Sequence, residues 1–445
     1  MDFEKTRSIL EDEARARGLE DYEIYFTSSE SVSAETLKDE ISSFSGGSGA
    51  GVSFRCIVDG HVGSAATELF EDTELRALVG RAAANAKVIE NDEPAIIFGG
   101  SEKYENTTAV AAEMPATSEI KKLALELQAK TYAESELIAD GTQSGTFADI
   151  SRYELVNSKG LKLSNRVGFS GAYVQAVVNR DGEASDGFDY VLGFENAHTL
   201  PKKAVEDSVA KLGAGTVKSG KYAIILDGKQ MRAMISTFCS VFSGKKALQG
   251  LSLLAGKVGE TVASECVTLV DDPRHEGCPV QTPFDGEGVA TYKKNVIENG
   301  VLRTLLYDLA TAERAGVTTT ANGQRGSYAQ QVGIAPFCFY LKEGTLCEQA
   351  LRERMGDGLY VTELKGLHAG ANAVTGDFSI ESAGFLVKNG QLAGAVKGFT
   401  IAGNFFEMLK DIEAVSDTVK FGMPSGFTTF GSPDVLLKPM SVAGE

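Results

Sequence analysis

Polar and apolar positions along this chain follow two periods, and each predicts an element. Tyr22, Ile24 and Phe26 alternate with polar neighbours, and Val52, Phe54, Cys56 and Val58 alternate again before Asp59 and Gly60. A period of two turns one side of a strand to the core, and Asp-Gly favours a tight hairpin turn. On either side the period lengthens. The polar opening stretch, ending near Gly18, reads as a helix, and Leu75, Leu78, Val79, Ala82 and Ala83 recur at helical spacing. Region 1–100 is therefore read as helix, antiparallel strands, helix. The polar, irregular stretch 94–116 reads as a connector.

Region 117–213 opens with a helix around Ile120, Leu123 and Leu127, continues in strands punctuated by NSKG and NRDG, and closes with a helix near 202–212. The small, flexible run GAGTVKSG marks a boundary. In region 221–445, YAIILD predicts a short buried strand and GKQMRAMISTFCSVFSG a helix, with Met231, Met234, Ile235, Phe238 and Phe242 as its apolar stripe. Beyond Val267 strands dominate, with a hairpin about Asn299 and Gly300 and short helices at 308–315, 347–355 and 404–413. The pattern predicts an α+β fold: a mixed N-terminal region of helices and antiparallel strands, then a C-terminal half dominated by antiparallel β-sheet.

Composition sharpens this in three ways. The chain of 445 residues carries 49 Gly and only 10 Pro, which suits many tight turns between short strands. Its net charge of −18, with basic clusters no longer than pairs such as Lys202 with Lys203, argues against direct nucleic-acid binding. Six scattered Cys without a C-x-x-C pair read as the thiols of a reducing compartment, not as a disulfide framework. With no apolar signal core and no run near the ~18 apolar residues of a membrane span, a cytoplasmic protein is expected.

Three stretches hold candidate chemistry. PRHEGC (273–278) gathers His275, Glu276 and Cys278, residue types that zinc favours. Pro and Gly bracket them, however, and His61, His198 and His368 are far off in sequence, so the stretch reads as a solvated loop and no metal ligand is assigned. TPFDGEG (282–288) places Asp285 and Glu287 on a glycine-flexed backbone, and ANGQRGSYAQ (321–330) offers Asn322, Arg325, Ser327 and Tyr328. Polar side chains on such loops either line a binding groove or cap the sheet beneath.

The blocks TPFDGEGVATYKKNVIENGVLRTLLYD, GLYVTELKG, AVTGDFSIESAGFLVKNGQLAGAVKGFTIAGNFFEML and the closing PMSVAG resemble, in that order, the TldD/PmbA family. The likeness runs along nearly the whole chain. It implies a metallopeptidase system of two homologous subunits that together cleave extended peptides. One subunit, TldD-type, holds zinc through H-E-x-x-x-H on a helix with a further cysteine near the C-terminus. The other, TldE-type (also PmbA), lacks these residues. Here the motif falls on RAMISTFCSVFSG, where the positions of the two His and the Glu are Ser236, Val241 and Thr237, and GMPSGFTTFGSPD holds no Cys. The resemblance therefore implies a TldE-type chain with no catalytic residues and no zinc of its own, zinc being expected in a TldD-like partner. Asp285, Glu287, Asn322, Arg325, Ser327 and Tyr328 are then its substrate-binding candidates. A homodimer is the alternative assembly where that partner is missing. Two other classes stay open: a stand-alone regulatory binding protein, as the family's older name of DNA gyrase modulator implies, and a self-sufficient peptidase using Cys239, Cys278 or a metal loop.

Overall fold

The computed structural model describes residues 3–109 and 113–445; residues 1–2, where the sequence places the start of the opening helix, and 110–112, within the stretch expected as a connector, lie outside the described residues. The fold is α+β. Its N-terminal half is one sheet of six strands: β1 (Tyr22–Leu37), β2 (Glu40–Val58), β3 (His61–Thr67), β4 (Gln143–Asn157), β5 (Lys162–Arg180) and β6 (Glu183–Leu192). They run in the order β3-β2-β1-β4-β5-β6, antiparallel throughout. Regions 1–100 and 117–213 thus contribute three strands each to a single sheet, joined where β1 pairs with β4.

Helices cover this sheet in two pairs. Helices α1 (Phe3–Ala16) and α2 (Asp72–Ala86) bury Phe3, Leu10, Leu75, Leu78 and Val79 against Ile24, Phe26 and Phe54. A Cβ on Gly63 would meet the Ala82 carbonyl oxygen at 2.2 Å, so glycine is what lets α2 lie directly on β3. Helices α3 (Thr117–Glu134) and α4 (Leu200–Ala210) pack Leu127, Leu200 and Ala204 over Ala172 and Val174. The hairpin signals hold in detail. Asp59 with Gly60 and Asp181 with Gly182 all have positive φ, as do Asn299 with Gly300.

The C-terminal half packs two further six-stranded sheets around one core. Strand β7 (Gly220–Leu226) lies in the first of these, between Gly358–Lys365 and Val435–Ala443. Ile224, Ile225 and Leu226 are all fully buried, as a strand covered on both faces requires. The second sheet is built on Leu269–Asp271, Lys294–Glu298, Cys338–Leu341 and Thr429–Ser432. These sheets are largely antiparallel, but β7 pairs in parallel with Gly358–Lys365, as does Cys338–Leu341 with Thr429–Ser432. Among the described residues no helix is long and apolar enough to cross a membrane.

Helix α5 (Gly228–Phe238) buries Met231, Met234, Ile235 and Phe238 in this core. The apolar stripe predicts a longer helix, but the chain tightens into a 3-10 turn at Cys239–Phe242. The reason is tertiary: Leu306 N–H donates to Phe242 O and Gly244 N–H to Leu306 O, drawing the backbone off the helical path. At the other end the Asp227 carboxylate accepts from Lys229 N at 2.7 Å and caps α5. Lys420 Nζ bridges Asp227 and Asp434 at 2.7 and 2.6 Å, anchoring that cap to the rest of the fold.

Candidate functional site

Helix α5 forms one wall of a groove of about 480 Å3, lined by Arg232, Ser236 and Cys239 and faced by Pro336, Met423 and Thr428. Arg232 Nη1 donates to Phe421 O at 2.7 Å and ties the helix to the opposite wall. Ser236 is exposed towards the groove. Thr237 is half-buried, and its hydroxyl donates back to Ala233 O at 2.8 Å. Val241 lies in the core. Two hydroxyls, one of them committed within the helix, and an aliphatic side chain do not form a zinc donor set, which needs imidazole, thiolate or carboxylate. Zinc does not fit here. Cys239 is half-buried beside them, and burial pushes its thiol up to about 12, which disfavours the thiolate.

PRHEGC is a loop, as its Pro and Gly suggest, but only Glu276 and Gly277 are exposed, while His275 is half-buried and Cys278 buried. His275 N–H donates to Asp272 O and Cys278 N–H to His275 O, folding the stretch into a compact turn. His275 packs between Tyr340 and Phe421, with ring centroids 4.7 and 4.8 Å away. Cys278, only 1% exposed, is disulfide-bonded to Cys338. The expectation of six free thiols is corrected: Cys56, Cys239, Cys266 and Cys347 are free, while this pair is joined. A separation of 60 residues hides the pairing in the sequence; the turn and the strand Cys338–Leu341 bring the sulfurs together. Ligand atoms of His275, Cys278 and Cys338 converge within 4.8 Å, the one such grouping among the described residues. Joined sulfurs are not thiolates, and Gly277 N donates to His275 Nδ1 at 3.0 Å, so as folded the set offers a metal the His275 Nε2 atom and no thiolate beside it.

The two glycine-flexed loops meet at the seam between the halves of the molecule. Asp285 is buried and accepts three backbone hydrogen bonds, from Glu287 N at 2.9 Å and from Val289 N and Gly323 N at 3.0 Å. Glu287 Oε2 accepts from Leu309 N at 2.8 Å, at the start of the helix Leu309–Ala315. Arg325, 4% exposed, reaches across the seam to pair with Glu23 of β1. Its guanidinium lies over the Tyr25 ring at 4.8 Å. Arg55 of β2 takes the other oxygen of Glu23 at 3.4 Å. Asn322 sits apart from this cluster, donating to Asp271 Oδ2 at 2.8 Å and Ala335 O at 3.1 Å. Ser327 and Tyr328 are half-buried at the surface. The Tyr328 hydroxyl bonds Glu68, and its ring lies flat on Gly51 of β2, where a Cβ would come within 2.4 Å of it. Asp285, Glu287 and Arg325 are therefore brought together, and Tyr328 joins Glu287 and Arg325 in lining the cleft above them; Asn322 and Ser327 are not part of the cluster.

Charge in this seam is nearly balanced. Burial pushes both Asp285 and Glu287 upward. Three backbone N–H groups and Arg325 favour the Asp285 anion against that burial, so of the two carboxyls Glu287 is the one the surroundings favour as the proton's holder. Glu287 is pushed up to about 8 by burial and then by the neighbouring Asp285 charge. With that proton the anions Glu23 and Asp285 balance the cations Arg55 and Arg325. Sequence reasoning missed Glu23 and Arg55. One signal was available: Tyr22, Ile24 and Phe26 fill one face of β1 while Tyr25 joins Glu23 on the other, which suggests burial on both faces. Above the cluster opens a cleft of about 550 Å3, walled by β2, β3 and α2 on one side and by the C-terminal loops on the other.

Residues 22–86, 112–212 and 219–444 match, in turn, the first, central and C-terminal domains of PmbA/TldA metallopeptidases. The chain is 26% identical over 427 residues to a metalloprotease of Methanocaldococcus jannaschii, covering 94% of this chain and 92% of that one. It superposes on a Thermotoga maritima protein described as a candidate modulator of a DNA gyrase, with a TM-score of 0.90 at 28% identity, over 99% of this chain and all of the other. TldE from Thermococcus kodakarensis shares the fold at a TM-score of 0.86 and 24% identity, over 98% of this chain and 100% of that one.

Proposed function

The chain belongs to the PmbA/TldD metallopeptidase family, and on that premise we propose that it is a TldE-type subunit, without zinc of its own, that helps a TldD-like partner bind and cleave extended peptides. One observation supports the reading: α5 and the 3-10 turn that follows it carry Ser236, Thr237 and Val241 at the positions where, by resemblance, the catalytic subunit has two imidazoles and a carboxylate. A zinc-dependent peptidase uses the metal to polarise the peptide carbonyl and to supply hydroxide at neutral pH. None of the three side chains can hold the ion or act as the base.

What this subunit contributes is shape. The groove beside α5 stays open, its walls held apart by the core behind Met231 and Phe238 and bridged by Arg232. An extended peptide in such a groove is held chiefly through its backbone, which explains tolerance of many sequences.

The test is reconstitution. The purified chain alone should hydrolyse no unstructured peptide, and addition of a TldD-like subunit bearing H-E-x-x-x-H should produce chelator-sensitive cleavage. Chelator-sensitive cleavage by this chain alone, at high purity, would sink the proposal. A stand-alone regulator of a topoisomerase predicts no gain on mixing, so the same measurement separates the two. A cytoplasmic setting is part of the proposal. Fractionation of cells lysed with a thiol-blocking reagent reads its compartment, and the alkylation pattern reads the state of Cys278.

A further inference from the structure

Four cations of this acidic chain gather where the two halves meet. These, Arg55, Lys245, Arg314 and Arg325, line the cleft above the Glu23 cluster, with five Asn and Gln side chains between them. Three acidic residues share the lining, and two have assigned tasks. Glu93 pairs with Lys245 at 3.1 Å, and Asp308 caps the helix Leu309–Ala315 by accepting from Thr311 N at 2.7 Å. The third, Glu287, is the carboxyl favoured as the proton's holder. The Nε atoms of Arg55 and Arg325 are both buried without a hydrogen-bond partner. Arg314, exposed on the last turn of that helix, has no hydrogen-bond or ion-pair partner among the described residues. Its position favours the helix dipole, but that does not require it to line a cleft.

We infer that this cleft is a binding site for the free C-terminal carboxylate of a peptide, with Arg314 as its principal contact and the carboxamides as partners for the last peptide groups. The volume lies in the range of small-ligand sites. A guanidinium fork matches a planar carboxylate through two parallel hydrogen bonds, and Asn and Gln can both donate to and accept from a peptide backbone. A phosphate suits the cleft poorly. The N-terminus of the helix Leu309–Ala315, which otherwise attracts dianions, is closed by the Asp308 carboxylate on the same wall. The inference deepens the peptide-handling reading above and rests on it. It assigns a second contact region, at the seam and sharing no lining residue with the groove beside α5, that reads the end of the peptide and not its sequence.

The experiment uses the full chain and two fluorescein-labelled Ala/Gly pentapeptides that differ only at the C-terminus, one a free acid and one a carboxamide. Fluorescence anisotropy should show the acid binding about ten-fold more tightly, the scale of one charged hydrogen-bond pair. Arg314→Gln should erase that preference while leaving the melting temperature in place, because the side chain is exposed. Equal affinities, binding of neither peptide, or a preference that survives Arg314→Gln would each overturn the inference. So would displacement of the acid peptide by inorganic phosphate at concentrations where acetate is silent. Cleavage of both peptides on mixing with a TldD-like subunit tests the function separately: if it persists without an acid preference, the cleft assignment fails and the subunit role stands.

Discussion

Arg325 and Glu287 show what single side chains do at the seam. Arg325 and Glu23 are both buried, so removing one leaves the other charge in a poor dielectric. Arg325→Ala should lower stability by about 3 kcal/mol, the usual cost of breaking a buried pair from one side. Chemical denaturation measures it, and a midpoint unchanged within error would mean that the pair contributes nothing. Glu287 gives the opposite handle. Its folded pKa is raised from 4.5 to about 8, so between these values the native state keeps a proton that the unfolded chain has released. Stability should therefore fall as pH rises through that window, by this residue's contribution, and level off above it. Glu287→Gln mimics the protonated form and should flatten the slope. Melting curves of both proteins from pH 5 to 9 decide it: parallel curves would place the proton elsewhere.

At the scale of elements, the Cys278–Cys338 bond and α5 carry most of the consequence. The bond closes a loop of 60 residues, for which the chain-entropy account gives about 4 kcal/mol. Cys278→Ser should lose most of that, and a reductant should destabilise the parent protein but not the variant. Alkylation of unreduced, unfolded protein should modify Cys56, Cys239, Cys266 and Cys347 and leave the pair untouched; six modified cysteines would show that the bond does not form. Helix α5 shows a different limit. Its stripe from Met231 to Phe238 was readable because helical spacing puts those residues on one face. Its end was not, because the bonds through Leu306 that divert the chain at Phe242 come from a segment more than sixty residues away.

The whole molecule is held together across its seam by more than ions. Val280 and Phe284 from the C-terminal half pack with Tyr25, Tyr153, Leu155 and Leu161 of the sheet, and Phe427 lies 5.0 Å from Tyr153. An apolar seam backed by the Arg325–Glu23 pair should make the halves unfold together. Calorimetry should show one transition, and two well-separated transitions would mean that the halves are independent.

The sequence by itself determined the family, the α+β class, the hairpins at Asp59 and Asn299, and the residue types Ser236, Thr237 and Val241 at and just beyond the end of α5. Each of these rests on local order: a period, a turn dipeptide, or a residue type at a fixed place in a block. The tertiary structure alone decided which charges meet. Glu23 and Arg325 lie about three hundred positions apart, and no local rule links a strand residue near one end to a loop residue near the other. The same holds for the partner of Cys278 and for the packed turn made of PRHEGC. Asp285 and Glu287 were legible as candidates because glycines flank them, yet their opposite roles, one favoured as an anion and the other as the proton's holder, depend on three backbone N–H groups that only the folded loops supply. Burial and hydrogen bonding set a carboxyl group's charge, and neither is written in the residues beside it.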